Sequence, residues 1–321
     1  MNLKNSVMKK LMLLTLVLAT MLGAAGCGNT KTTESTTDTK TAALDKEMES
    51  YYVTTDWLKE NLDSVVIIDA RADKEYKAAH IKGAINVTWQ MLSNMTVKQG
   101  EANWGVILPQ AELEAKLGSL GIDGSKTVIV YNDPSGLGEE GRILWTLRTA
   151  GIENSKMLNG GYPAWSAAKG ETSSDVASPA AVSFKMASPQ YDSLLATTEY
   201  VQTNKDKIKL VDTRSTEEYN GSTNHGENYN GEKALGHIEG AVSLPYSNLY
   251  NDDGTIKSIT DLKAVFEAAG LKPEDEIVTY CTVGIRSGFA AEILRMCGYT
   301  NVKNYNGSFS EWAGAGLPYV K

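Results

Sequence analysis

Ile277-Val278-Thr279-Tyr280-Cys281-Thr282-Val283-Gly284-Ile285-Arg286-Ser287-Gly288 reads as a strand, a tight loop and the start of a helix. Its first four residues are β-branched, apolar or aromatic, which suits a strand buried on both faces. Behind the loop, Phe289, Ile293 and Cys297 recur at helical spacing and predict a helix over 287–297. A loop curled at a helix N-terminus points backbone N–H groups inward and makes an anion cradle. A cysteine at its base is held as thiolate by those N–H groups and by Arg286, while Gly284 lets the loop turn tightly. Cys281 is thus the candidate nucleophile. Thr282, Val283, Gly284, Ile285, Arg286 and Ser287 are the candidate substrate-binding residues.

The chain contains this pattern twice. Val65-Val66-Ile67-Ile68 ending in Asp69-Ala70-Arg71 matches Ile208-Lys209-Leu210-Val211 ending in Asp212-Thr213-Arg214. Glu75-Tyr76 matches Glu218-Tyr219, and the His80-Ile81-Lys82-Gly83-Ala84 run matches His237-Ile238-Glu239-Gly240-Ala241. Val128-Ile129-Val130-Tyr131 matches Ile277–Tyr280, and Asn159-Gly160 with Trp165 matches Asn306-Gly307 with Trp312. Short strands alternate with helical patterns such as Thr260–Ala269, which predicts an α/β fold of two tandem domains, each a parallel sheet flanked by helices. Ligands of such sheets bind at the carboxyl ends of strands, so Cys281 and Asp212-Thr213-Arg214 are expected at one edge. The second copy carries a Gly- and Asn-rich insertion, Gly221 to Lys233, with His225 inside it, that could cover the cleft; the first has a longer stretch between Val87 and Gln110.

The tandem acts as an internal control. Where the second copy has Cys281 the first has Asn132, which carries no sulfur, followed by a loop to which Glu139 and Glu140 add negative charge. The first copy is expected to be an inactive packing half. Asp212, Arg214 and His237 recur as Asp69, Arg71 and His80 in that half, so they read as supporting, structural residues. Cys281 and Cys297 are separated by about 15 Å of helix, too far for a disulfide, which needs Cα atoms within about 7 Å. Cys297 reads as a small core residue. Three histidines without ligand spacing predict no metal site, and no cofactor motif is present.

The N-terminus reads as targeting. Lys4, Lys9 and Lys10 precede the apolar run Leu11–Leu22, which is too short to span a bilayer comfortably. The stretch Leu22-Gly23-Ala24-Ala25-Gly26-Cys27 resembles the lipobox of bacterial lipoproteins, with Ala24 where a leucine is common. That resemblance implies a signal peptide over 1–26, lipidation of Cys27 and an extracytoplasmic protein anchored to the membrane. Residues 27–49 read as a flexible tether, 50–170 as the N-terminal domain, 171–196 as a linker and 197–321 as the C-terminal, catalytic domain. The net charge of −8 and the lack of a basic block disfavour nucleic acid as a partner.

Across nearly all of 51–321 the paired Asp-x-Arg, Glu-Tyr, His-Ile-x-Gly-Ala, Tyr-Cys and Asn-Gly…Trp landmarks resemble the tandem rhodanese family. The resemblance implies a double displacement in which Cys281 takes a sulfane sulfur from thiosulfate, releases sulfite and passes the sulfur to cyanide or a thiol. Two further readings stay open: a 3-mercaptopyruvate sulfurtransferase, and a sulfur-relay or binding module without rapid turnover. Mercaptopyruvate-type relatives have Gly and Ser or Thr early in the loop and no arginine at its end, a pattern from which Thr282, Val283 and Arg286 depart. Cysteine phosphatases carry Cys-x5-Arg, whereas Cys281 and Arg286 form Cys-x4-Arg, a smaller loop suited to a sulfur atom. Animal-type two-domain enzymes bear a substrate arginine where this chain has Glu218, which leaves Arg286 as the expected main anion contact.

Overall fold

A computed structural model describes residues 44–223 and 234–321. The signal segment, Cys27 and residues 224–233 of the insertion, including His225, lie outside the described residues. In the first half the elements run β1 (Tyr52–Val53), α1 (Thr55–Asn61), β2 (Val66–Asp69), α2 (Asp73–Ala78), β3 (His80–Ile81), β4 (Ile85–Asn86), α3 (Gln110–Ser119), β5 (Val128–Tyr131), α4 (Glu139–Thr149), β6 (Ser155–Leu158), α5 (Gly161–Ala167) and β7 (Thr172–Ser173). The second half follows with α6 (Tyr191–Leu194), β8 (Leu195–Ala196), α7 (Thr198–Asn204), β9 (Lys209–Asp212), α8 (Thr216–Tyr219), β10 (Val242–Ser243), α9 (Ile259–Ala268), β11 (Ile277–Tyr280), α10 (Ile285–Met296), β12 (Val302–Tyr305) and α11 (Ser308–Gly314).

The two five-stranded sheets repeat each other strand for strand. One five-stranded sheet has the order β1-β6-β5-β2-β4 and the other, read from its matching edge, β8-β12-β11-β9-β10. All pairings within both sheets are parallel. The central strands β5 and β11 are buried throughout, as their β-branched and aromatic composition requires. Asp69 pairs in register with Tyr131, and Asp212 with Tyr280, so each Asp-x-Arg turn leaves the sheet beside the loop after the central strand. Equivalent threonines start the repeat, with Thr54 accepting from Trp57 N–H and Thr197 from Tyr200 N–H as helix N-caps.

Several expected boundaries move. The strands end on Asp69 and Asp212 themselves, and the helix read as Thr260–Ala269 is Ile259–Ala268. The tether reading of 27–49 stops short of residue 49. A 3-10 turn, Lys46–Ser50, buries Met48 in a core cluster with Phe289 and Leu294, and Asp45 accepts from the Ile259 N–H. The linker reading of 171–196 covers two strands: β7 pairs antiparallel with β3, and β8 is an edge strand of the second sheet. Two-residue edge strands carry too little pattern to be seen in sequence. Among the described residues no helix is long and apolar enough to cross a membrane.

The two halves meet across α4 and α10. A Cβ on Gly141 would sit 2.6 Å from the Phe289 backbone and side chain, and one on Gly288 would sit 3.3 Å from the Arg142 Cα. Each helix thus presents a glycine to a large residue of the other. Leu144 and Met157 join Phe289, Ile293, Cys297 and Leu294 in one shared core. A buried ion pair, Arg148 Nη1 to Glu292 Oε2 at 3.1 Å, closes the far end of the crossing. Tyr250 Oη donates to Glu140 across the interface, and burial pushes the Glu140 carboxyl up to about 7. Gly141→Ala is expected to destabilise the protein by about 1–3 kcal/mol through overpacking against Phe289, read as a lowered urea midpoint.

Candidate active site

Cys281 follows β11 directly and is 1 % exposed. Its carbonyl accepts from Phe309 N–H and its own N–H donates to Ser308 Oγ, so the residue is tied to the β12–α11 turn on both sides. Ser308 adopts φ +55° there, a left-handed conformation rare for serine. The loop is shorter than the sequence suggests: Gly284 is the N-cap of α10 at φ +81°, and Arg286 and Ser287 belong to the first helical turn. Gly284 is obligatory, because a Cβ would lie 2.3 Å from Asn306 Nδ2.

This geometry aims donors at the sulfur. Gly284 N–H donates to Cys281 Sγ at 3.1 Å. Burial alone would push the Cys281 thiol up, but the Arg286 charge and the Ser287 and Val283 N–H groups outweigh it and hold the thiol below its usual value. Ser287 is itself fixed by donating to Asn304 Oδ1 (2.7 Å), while Asn304 Nδ2 donates to the Gly284 carbonyl (3.2 Å). Ile285 starts α10 and contributes buried apolar surface. Cys297 is free like Cys281, lies in the shared core and is pushed up to about 12 by burial, so the two thiols differ in reactivity for physical reasons.

The expectation that Arg286 stands as the main anion contact needs correction. Its guanidinium is bidentate on Glu218, at 2.6 Å from Nη1 to Oε2 and 3.0 Å from Nη2 to Oε1, and Nη2 also donates to Thr282 Oγ1 at 2.7 Å. Glu218 in turn completes the capping box of α8 with Ser215. The Arg286 charge therefore has a fixed partner 1 % exposed, which lowers its pull on an external dianion.

The supporting residues are bonded alike in both halves. Arg214 Nε and Nη2 bind Asp212 at 2.9 and 2.6 Å and Nη2 reaches the Gly236 carbonyl at 2.7 Å. Arg71 repeats this on Asp69 at 3.0 and 2.6 Å and on the Ala79 carbonyl at 2.7 Å. His237 stacks on Tyr219 and donates from Nδ1 to its carbonyl, as His80 does with Tyr76. Arrangements shared with a half that lacks the cysteine belong to the fold. In that half Glu139, the first residue of α4, accepts through Oε2 from Asn132 Nδ2 (2.6 Å) and Leu137 N–H (2.8 Å), so a carboxylate of the chain already occupies these loop donors.

Sequence reasoning missed Asn304, Ser308 and Arg142, none of which belongs to a repeated motif. It noted Asn159 and Asn306 only as landmarks. Asn306 Oδ1 accepts from Ile107 N–H of the first half (2.7 Å), and Asn159 Oδ1 from Ile256 N–H of the second (2.9 Å), a reciprocal pair across the interface. Their recurrence before a glycine was the available signal. Among the described residues no group of three or more His, Cys, Asp or Glu side chains could hold a metal ion.

The fold and the site together define a doubled α/β protein with one cysteine held in an anion cradle at a helix N-terminus. The rhodanese-like domain family matches residues 54–168 and 197–315, and the chain belongs to that family. It is 31 % identical over 283 residues to the sulfur carrier protein TtuD of Thermus thermophilus, covering 84 % of this chain and 96 % of that one. It is 32 % identical over 255 residues to a thiosulfate sulfurtransferase of Pseudomonas aeruginosa, covering 77 % of this chain and 88 % of the other. The fold also resembles an anaerobic ergothioneine biosynthesis enzyme from Chlorobium limicola, solved with trimethyl histidine, with a TM-score of 0.75 at 23 % identity over 85 % of this chain and 70 % of that one.

Replacing Ser287 by alanine removes the hydroxyl that holds Asn304, and through it the Gly284 carbonyl, and is expected to loosen the donors at the sulfur and raise the Cys281 pKa. Because the folded pKa lies below an unfolded value near 8.5, ionisation of Cys281 stabilises the fold above that value, and the contribution is lost as pH falls through the folded pKa. Iodoacetamide labelling of Cys281 at pH 7 should be severalfold slower in Ser287→Ala, with an unchanged plateau rate at high pH.

Proposed function

We propose that the protein is a sulfurtransferase that takes a sulfane sulfur from thiosulfate onto Cys281 and hands it to a thiol or to cyanide. The observation that carries this reading is the convergence of the Val283, Gly284 and Ser287 donors on one buried sulfur of lowered pKa. In the first step the Cys281 thiolate attacks the outer sulfur of thiosulfate, the S–S bond breaks and its electron pair leaves with sulfite. In the second, the acceptor thiolate or cyanide attacks the terminal persulfide sulfur, and the electron pair of the broken S–S bond returns to Cys281 as thiolate. The donors that stabilise the thiolate serve the persulfide anion equally. The loop spans too few residues to enclose a phosphoryl group, which favours sulfur transfer over phosphatase chemistry.

A second reading is favoured by one contact. The Arg286–Glu218 pair leaves little net positive charge at the loop mouth, which suits sulfur received from a protein or small-molecule persulfide in place of a dianion. In that case the protein acts as a relay, as the name of its Thermus relative describes for that protein. Thiocyanate formation from thiosulfate and cyanide separates the two. Turnover that disappears in Cys281→Ser supports the enzyme. Slow wild-type turnover, with persulfide on Cys281 still detected by mass spectrometry after exposure to a persulfide donor, supports the relay; no persulfide from either donor would reject both.

The lipobox-like segment motivates the proposal that the protein is anchored outside the cytoplasm through a lipid on Cys27. Cys27→Ser should then move the protein from the membrane fraction to the soluble one on ultracentrifugation; equal distribution of the two forms would sink the anchor.

A further inference from the structure

Arg142 belongs to α4, in the half without a cysteine, and its side chain is 1 % exposed. All of its hydrogen-bond partners among the described residues are neutral. Nη1 donates to the Gly284 carbonyl (3.1 Å), and Nη2 to Ser93 Oγ (3.1 Å) and the Gly105 carbonyl (3.1 Å). The Gly284 carbonyl is the back of the residue whose N–H faces Cys281 Sγ. A buried guanidinium without a counter-charge is costly, and proteins rarely keep one unless an anion compensates it. The other buried arginines among the described residues are compensated: Arg286 by Glu218, Arg214 by Asp212, Arg148 by Glu292 and Arg71 by Asp69.

We infer that Arg142 is a positioning residue supplied by the inactive half, whose uncompensated charge takes the Cys281 thiolate, and later its persulfide, as counter-ion while its fork fixes the Gly284 peptide. The sulfur and the guanidinium interact electrostatically across the Gly284 backbone, and burial brings Arg142 down to about 9 where only the Cys281 charge opposes the fall. The charged groups around this pair are few. Arg286, paired with Glu218 of α8, acts on the sulfur from α10, and Asp212, paired with Arg214, lies beside Tyr280 at the end of β9. On α4 itself, Glu139 is engaged by Asn132 and Leu137, and Glu140 by Tyr250. The segment between β4 and α3, which holds Ser93 and Gly105, offers Arg142 only neutral groups. The inactive half is thereby part of the active site's charge balance.

The inference rests on Cys281 being the reactive thiolate, but alkylation reads that thiolate without turnover, so it can fail independently of the proposed reaction. The pH dependence of Cys281 alkylation by iodoacetamide would be measured for wild type, Arg142→Gln, Arg142→Lys and Arg148→Gln, with Cys297 replaced by alanine throughout. Arg142→Gln should raise the apparent pKa by about one unit or more. Arg148→Gln, which removes a buried arginine from the same helix, should lower thermal stability without moving the profile. An Arg142→Gln profile that overlays wild type would overturn the inference. If that variant does not fold, Arg142→Lys decides. A lysine keeps the charge but cannot fork to three oxygens, so its profile should stay within about half a unit of wild type. A full-unit shift there would instead assign Arg142 a purely geometric role.

Discussion

The close crossing of α4 and α10 is the constraint on which the rest of the molecule depends. Gly141 admits Phe289 at a distance that no side chain on the glycine would allow, and Gly288 admits Arg142 with only tight room for a methyl group. Because α10 begins at the loop after Cys281, the depth of this crossing sets where Gly284 and the first helical turn stand. The crossing also brings Arg142 within hydrogen-bond reach of the Gly284 carbonyl. The loop after Cys281 is shaped from below by its own sheet and from the side by the other half.

Charge is distributed over the site in pairs, and the pairs explain which residues support and which react. Asp212–Arg214 and Asp69–Arg71 are bonded alike at the two sheet edges, whether or not a cysteine lies beside them. Such buried pairs contribute little net stability, but either partner left alone would be costly. The Arg286–Glu218 pair is the local departure from this symmetry. In the first half the position of Glu218 is held by Glu75, whose carboxylate accepts from the Ala72 N–H. In the second half Glu218 also reaches across to the loop and pairs with its arginine, while the groups that donate to the sulfur are backbone N–H groups.

The first half carries Asn132 in place of Cys281 and reaches its helix-capping glycine by a longer loop. Gly138 at φ +78° caps α4 as Gly284 at φ +81° caps α10, so the backbone device is retained. Glu139 then turns its carboxylate onto the loop donors and occupies them from within. What remains useful in this half is its surface: the reciprocal Asn159 and Asn306 contacts, the shared core and the arginine it extends toward the other loop.

The doubled α/β architecture, the strand that ends at Cys281 and the inequality of Cys281 and Asn132 were legible in the sequence by itself, because strand composition, helical period and a repeated order of motifs are local properties. The Asp-x-Arg turns could be placed at the active edge for the same reason. Only the tertiary structure decided where the charges go. Glu218 and Arg286 are far apart in the chain, as are Arg142 and Gly284, and neither pair leaves a periodic trace. The two-residue strands β7 and β8 and the Met48 turn were read as linker and tether, since their order comes from neighbours and not from any pattern of their own. Local sequence determines which groups exist at the site; the burial that gives each charge its partner is settled by packing between segments distant in the chain.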